Sequence, residues 1–283
     1  MVWRLHPKKN PTPHLRETLF MRIIRTLLTS FLCFALLACQ PSKKPDLVIG
    51  TISGPETELV KTAKAVANEK YGLDIKIVEF SDYNLPNDAL ADGSLDMNIY
   101  QHLPFLKSSL AAKGYHLDVF SKTFIYPMGV YSHKIQNIKQ LKSKATIAIP
   151  NDPSNQTRAL ILLQQTGLII CADKETIGLH DILSNPKDLK FKELDAAQLP
   201  RVLPDVDAAV INTTFAIPAG LNPAKDAIYL EGKDSPYANL MVIRHDTDKI
   251  EKLTQFLEAM HSEPVMKRAK ELFGDGAIPA WNP

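Results

Sequence analysis

Apolar residues fall into short runs of strand length, separated by stretches of helical period. Leu47-Val48-Ile49-Gly50-Thr51-Ile52 predicts a buried strand. Gly54-Pro55 ends it and puts a proline near the first helical position. Leu59, Ala63, Val66 and Ala67 then recur at helical spacing to about Tyr71, and Gly72 stops the helix. A second strand over 75–80 completes a strand–helix–strand unit. A polar loop over 81–86 carries Tyr83. A short helix over 87–91 leads to the run Leu95-Asp96-Met97-Asn98-Ile99-Tyr100-Gln101-His102. Pro104 opens a helix to Lys113 with Gly114 as its C-cap, and 117–126 reads as a strand. Pro127 and Gly129 then break the pattern before Val130-Tyr131-Ser132, a candidate crossing between two domains.

The second half repeats this alternation from Ala145. Thr146-Ile147-Ala148-Ile149 predicts a strand, Pro150-Asn151-Asp152-Pro153 a turn, and Ser154 the N-cap of an apolar helix running towards Gly167. Strands are expected at 189–194, 208–212, 227–230 and 239–244, with a helix over 196–203 shortened or kinked by Pro200. Glu231-Gly232-Lys233-Asp234-Ser235-Pro236 is the second candidate crossing. Two helices close the chain. The first, over 249–261, carries Ile250, Leu253, Phe256, Leu257 and Met260 on one stripe, and the second runs from Pro264 to Phe273 and is ended by Gly274. The expected fold class is α/β, with two lobes joined by two hinge crossings around a cleft. Residues 46–126 form the first lobe, 127–231 the second, and 232–283 return to the first. Ligands of open α/β sheets sit beyond the carboxyl ends of the strands, so the polar strand ends near Asn98, Pro150 and Asn212 are expected to converge.

Charge separates the chain into two unlike parts. The formal net charge of the 283 residues is +2, but residues 1–38 alone carry +5, so the remainder is mildly acidic at −3. Such a body gives no reason to expect nucleic-acid binding. The basic start precedes 26–38, an uncharged, mostly apolar run of 13 residues. It is too short to span a bilayer and suits the h-region of a signal peptide. It ends in Leu36-Leu37-Ala38-Cys39, which resembles a bacterial lipobox with Cys39 as the lipidated mature N-terminus. Residues 21–38 are then a lipoprotein signal peptide, 1–20 a leader or non-native extension, and 39–45 a polar tether. Gln40, rather than Asp, follows the cysteine and favours the outer membrane in a two-membrane bacterium. With Cys33 removed and Cys39 acylated, Cys171 stands alone and is read as structural.

The turn before Ser154 offers unpaired backbone N–H groups and the positive end of a helix dipole, with Arg158 one turn further on. A guanidinium there suits a carboxylate held in bidentate fashion. By itself the stretch reads more readily as a surface turn whose arginine makes a solvated ion pair. The other candidates have plain readings too: His102, Tyr83, Tyr100 and Tyr126 as core residues, Asn212 as a helix cap, Asn239 as a turn residue. No G-x-S-x-G, H-E-x-x-H or paired-carboxylate motif is present, so an enzyme is not expected, and neither is a metal or cofactor.

Several stretches together carry a resemblance. They are Asp82-Tyr83 with Pro86-Asn87-Asp88-Ala89-Leu90, Tyr100-Gln101-His102 with Pro104, and Thr123-Phe124-Ile125-Tyr126-Pro127. They continue with Pro150-Asn151-Asp152-Pro153-Ser154-Asn155 with Arg158, Ala209-Val210-Ile211-Asn212-Thr213-Thr214, and Ser235-Pro236-Tyr237-Ala238-Asn239-Leu240. In this order, across nearly all of 46–283, the chain resembles the NlpA-type methionine-binding lipoproteins, substrate-binding subunits of bacterial methionine ABC importers. The resemblance implies a type II periplasmic-binding-protein fold and a free amino acid, methionine, as ligand. It implies a membrane permease with a cytoplasmic ATPase as partner. It also implies Arg158 as the carboxylate ligand, Asn212 and Asn239 as contacts to the amino-acid backbone, and Tyr83, Tyr100, His102 and Tyr126 as the wall around the side chain. Phe105 and Lys107 depart from the family's pattern and are expected to face away from the ligand, and Met97 replaces a small residue that bears on pocket volume. The alternatives are the same fold binding another amino acid or a short peptide, and a surface lipoprotein with an adhesion role.

Overall fold

The computed structural model describes residues 44–281 apart from Lys233; the expected leader over 1–20, the expected signal peptide over 21–38 with Cys33, and Cys39 with residues 40–43 of the expected tether lie outside them. The described residues from Pro45 onwards make up one compact unit. In chain order its strands are β1 (Leu47–Ile52), β2 (Ile75–Phe80), β3 (Met97–His102), β4 (Leu117–Ile125), β5 (Gly129–Tyr131), β6 (Thr146–Pro150), β7 (Ile170–Cys171), β8 (Ile182–Ser184), β9 (Lys190–Leu194), β10 (Ala208–Ile211), β11 (Ala227–Leu230), β12 (Ala238–Arg244) and β13 (Ile278–Pro279). The α-helices are α1 (Pro55–Tyr71), α2 (Pro86–Ala91), α3 (Leu103–Lys113), α4 (Pro153–Gln165), α5 (Leu199–Val202), α6 (Thr213–Ala216), α7 (Pro223–Asp226), α8 (Ile250–Met260) and α9 (Glu263–Phe273).

Two main sheets carry the architecture. The first has the order β13-β4-β12-β3-β1-β2 and the second β11-β5-β10-β6-β9. In the first, β1 runs parallel to β2 and β3, and β12 inserts antiparallel between β3 and β4. In the second, β6 is parallel to β9 and β10, and β5 is antiparallel to β10. The chain leaves the first sheet after Ile125 and enters the second at Gly129. It leaves the second after Leu230 and returns to the first at Ala238. These are the two crossings that the proline- and glycine-bearing breaks predict.

Period-two alternation explains how each sheet feeds two cores. Along β12, Met241 and Ile243 face a core shared with α1, α8 and α9, while Leu240 and Val242 face Leu90 and Leu95 beside α2. The second sheet buries Ile147, Ile149 and Val210 against Leu160 and Leu163 of α4. Its other face gathers Tyr131, Ala148, Ala209 and Ile211 with Ile52 and Tyr100 from the first sheet, so one apolar cluster joins the two.

Local signals place most element ends. Pro55 starts α1, and Gly72 and Gly114 close α1 and α3 in the left-handed conformation with φ of 69° and 70°. Pro200 leaves only α5 and flanking 3-10 turns where a longer helix is expected. Three details differ from expectation. The N-cap of α4 is Asp152, with Pro153 at the first helical position, so Ser154 lies inside the helix. The β7–β8 hairpin and β13 are strands of two or three residues, too short to leave a periodic signal. Met97 does not border the cleft: it differs from Tyr100 by an odd number of strand positions and packs in the opposite core.

Phe256 is fully buried in the core under α1, α8 and α9. Phe256→Ala is expected to destabilise the protein by about 3–5 kcal/mol, the sum of lost transfer energy and a cavity, as read by chemical denaturation.

Candidate functional site

The turn between β6 and α4 is built around Asp152. Its carboxylate accepts from the backbone N–H of Asn155 at 2.9 Å, from Ser154 Oγ at 2.9 Å and from Asn155 Nδ2 at 3.0 and 3.1 Å. The cap therefore does two things. It satisfies orphan N–H groups of the helix start, and it turns the Asn155 side chain so that Oδ1 faces away from the cap. Burial raises the Asp152 pKa, against these hydrogen bonds that hold it down.

Asn155 Oδ1 meets two partners from distant parts of the chain. Asn212 Nδ2 donates to it at 2.8 Å, and His102 Nε2 lies 3.3 Å away. The Phe105 N–H donates to His102 Nδ1 at 3.2 Å, so Nδ1 is the acceptor and Nε2 carries the proton. Burial, and then the positive charge of Arg158, push the His102 pKa down to about 3. The imidazole is therefore a neutral donor at physiological pH and adds no second cation. The Asn212 side chain makes no cap bond to α6, although its backbone carbonyl accepts from Phe215 and Ala216. Its Oδ1 is buried without a hydrogen-bond partner among the described residues, as is the Tyr100 hydroxyl.

Arg158 lies one turn into α4 and is only 4 % exposed. Its Nε donates to Glu231 Oε1 at 3.0 Å, its Nη2 donates to the other oxygen of that carboxylate and to the Tyr126 carbonyl at 2.9 Å, and the Tyr237 ring lies 4.4 Å from its central carbon. The bidentate carboxylate expected of a ligand is therefore supplied by the protein itself. No described residue makes a hydrogen bond to Nη1.

One small cavity brings these parts together. Arg158, Asn212, Asn239, Tyr83, Tyr100, His102 and Tyr126 all line it. These seven positions span 157 residues of sequence and come from both sheets and the elements beside them. Phe105, expected to face away, also lines the cavity. It sits in the first turn of α3 immediately after His102, and helical side chains point back towards the N-terminus. Its ring packs 5.8 Å from Tyr83 and 5.7 Å from Tyr100, centroid to centroid. Lys107, one turn on from Leu103, does point outwards, 61 % exposed with Glu175 at 3.8 Å.

Several lining residues fall outside the seven. Asn155 was legible, because it stands three positions before Arg158 on the same helical face. Gln101, Thr213 and Thr214 adjoin predicted residues. Glu56 and Glu231 do not line the cavity but hydrogen-bond residues that do, and they left no local signal. Glu56, in the first turn of α1, is buried and takes hydrogen bonds from Thr214 Oγ1 at 2.6 Å and Asn239 Nδ2 at 3.4 Å. Thr214 belongs to α6 beside the second sheet and Asn239 to β12 of the first, so one carboxyl joins both sides of the cleft. Among the described residues no group of three or more His, Cys, Asp or Glu is placed to hold a metal, and no helix is long and apolar enough to cross a membrane.

Burial raises the Glu56 pKa from 4.5 to about 7, against the lowering effect of its two hydrogen bonds. A raised carboxyl pKa favours the protonated folded state. Its contribution to stability is complete below about pH 4.5 and is lost as pH rises through about 7. The stability of the ligand-free protein relative to its Glu56→Gln variant should therefore fall by about 3 kcal/mol between these limits, measured by denaturant titration at each pH. A constant difference would mean that Glu56 titrates as an exposed carboxylate.

The chain is 46% identical over 255 residues to the D-methionine-binding lipoprotein MetQ of Salmonella typhimurium, covering 87% of this chain and 93% of that protein. Among solved structures, a periplasmic substrate-binding protein of an ABC transporter from Coxiella burnetii is similar with a TM-score of 0.80 and 54% identity, over 83% of this chain and all of that one. A nutrient-binding protein from Burkholderia cenocepacia, solved bound to methionine, is similar with a TM-score of 0.80 and 44% identity over the same shares. The model of the NlpA lipoprotein family matches residues 47–281, nearly the whole described structure. With relatives this similar along nearly their full length, the chain belongs to the NlpA lipoprotein family.

Proposed function

We propose that the chain is a lipid-anchored, non-enzymatic binding protein that captures methionine in the cell envelope and delivers it to an ABC importer made of a membrane permease and a cytoplasmic ATPase. The observation that carries this reading is the unpartnered Asn212 Oδ1, buried in a cavity that also holds Arg158. A buried acceptor without a donor is costly, by about 1–3 kcal/mol. A ligand ammonium supplies the missing N–H, and Nη1 of Arg158 takes the carboxylate of the same zwitterion. Asn239 adds a second amide. The rings of Tyr83, Tyr100, Phe105 and Tyr126 with His102 form an apolar wall for a thioether, and sulfur–ring contacts are favourable by about 0.3–1.5 kcal/mol each. The names and the methionine-bound structure of the relatives support the same ligand.

Residues 46–126 with 232–283 act as one lobe and 127–231 as the other, and closure about the two crossings signals occupancy. Cys39 carries the lipid, so the protein is held at a membrane and faces the periplasm or exterior.

Calorimetric titration of protein refolded after denaturing removal of bound ligand, against a panel including both methionine enantiomers, tests the ligand. Absence of methionine binding would overturn the reading. Arg158→Ala is expected to weaken methionine binding by about 1.5–3 kcal/mol without unfolding the protein, the range for a charged hydrogen bond. Unchanged affinity would remove the carboxylate role. Cys39→Ser is expected to move the protein from the membrane fraction to the soluble fraction of fractionated cells.

A further inference from the structure

Arg158 is held almost entirely by the two crossings rather than by its own sheet. Tyr126, whose carbonyl accepts from Nη2, opens the first crossing. Glu231, which takes the Nε–Nη2 edge, opens the second, and Tyr237, which lies against the guanidinium, ends it. Glu231 then reaches back to the first crossing. Its Oε2 accepts from the Met128 N–H at 3.0 Å, and its own backbone N–H donates to the Met128 carbonyl at 2.9 Å. The Glu231 side chain is 10 % exposed, so this carboxylate is nearly as buried as its partner.

A guanidinium is a rigid planar fork with five donors. Fixing one edge with a bidentate carboxylate fixes the direction of the remaining nitrogen, here Nη1. We propose that Glu231 is a positioning residue for ligand binding: it holds the Nε–Nη2 edge of Arg158 so that Nη1 alone is presented to the ligand carboxylate, and it ties that contact to both chain crossings. This rests on the reading of Arg158 as the carboxylate partner.

Two consequences follow. The ion pair is neutral before the ligand arrives, so the cleft is matched to a zwitterion rather than to an acid. And because Glu231 touches Met128 as well as Arg158, any movement of the crossings moves the guanidinium. Ligand capture and lobe closure then share one set of hydrogen bonds.

A double-mutant cycle tests this. Methionine dissociation constants are measured by calorimetry for the ligand-free wild type, Arg158→Ala, Glu231→Gln and the double variant. Glu231→Gln is expected to weaken binding at least tenfold in the wild-type background and less than threefold when Arg158 is absent. An equal factor in both backgrounds, or a change below threefold in the wild type, would overturn the proposal, since a merely structural role acts whether or not Arg158 is present. Failure of the wild type to bind methionine would instead overturn the functional reading together with the inference built on it. Should Glu231→Gln not fold, the Arg158 Nε–H resonance of the wild type decides, assigned by its loss in Arg158→Ala. Slow exchange with solvent, with and without methionine, supports a permanently occupied edge. Fast exchange in either state overturns it.

Discussion

A guanidinium taken out of water must find partners for its donors, and most of the cleft can be understood as the answer to that demand. Arg158 is buried in the first turns of α4, where its own helix offers it no acceptor. Its partners come from the ends of the two crossings instead. Burying a charge pair gains little net stability over an apolar core, because desolvation offsets attraction. The pair is better understood as a geometric device. It sets the direction of one nitrogen and draws Tyr126, Met128, Glu231 and Tyr237 into a fixed relation.

Around that pair the cleft is lined by amides more than by charges. Asp152 orients Asn155, Asn155 orients Asn212, and the same Asn155 oxygen meets a neutral His102. Behind them a second buried chain runs from Asn87 to Gln101 at 2.9 Å and from Gln101 to Asn98 at 2.9 Å, bracing the end of β3 where Tyr100 and His102 stand. Networks of this kind are costly if one member is left unsatisfied. Among these amides Asn212 Oδ1 has no hydrogen-bond partner in the described residues, and Asn212 lines the cavity itself. Glu56 adds a titratable group on the far side of the same site, kept largely neutral by burial below about pH 7.

Much of the fold was legible along the chain because it rests on short-range physics. Proline at helix starts, glycine in left-handed caps and period-two strands locate α1, α3, β1, β2 and β12 within a residue or two. Seven cleft residues were also legible, although only their collective order, not any one of them, pointed to a ligand. Phe105 lines the cavity against expectation because its position within the first turn of α3, rather than its residue type, turns the ring inwards. Met97 does not bear on the cavity because its strand parity sends it to the other core.

What the chain determines by itself is therefore local: where elements begin and end, which faces are apolar, and which polar residues stand at strand ends. What tertiary structure alone decides is who pairs with whom across long separations. Glu231 is 73 residues from Arg158, and Glu56 is 183 residues from Asn239. No periodicity or capping rule reaches across such distances. Only the folded topology, which brings the end of β11 beside α4, places a carboxylate on the edge of the guanidinium and leaves its remaining nitrogen without a hydrogen-bond partner among the described residues, because a buried charge is satisfied by whatever the fold brings within hydrogen-bonding reach.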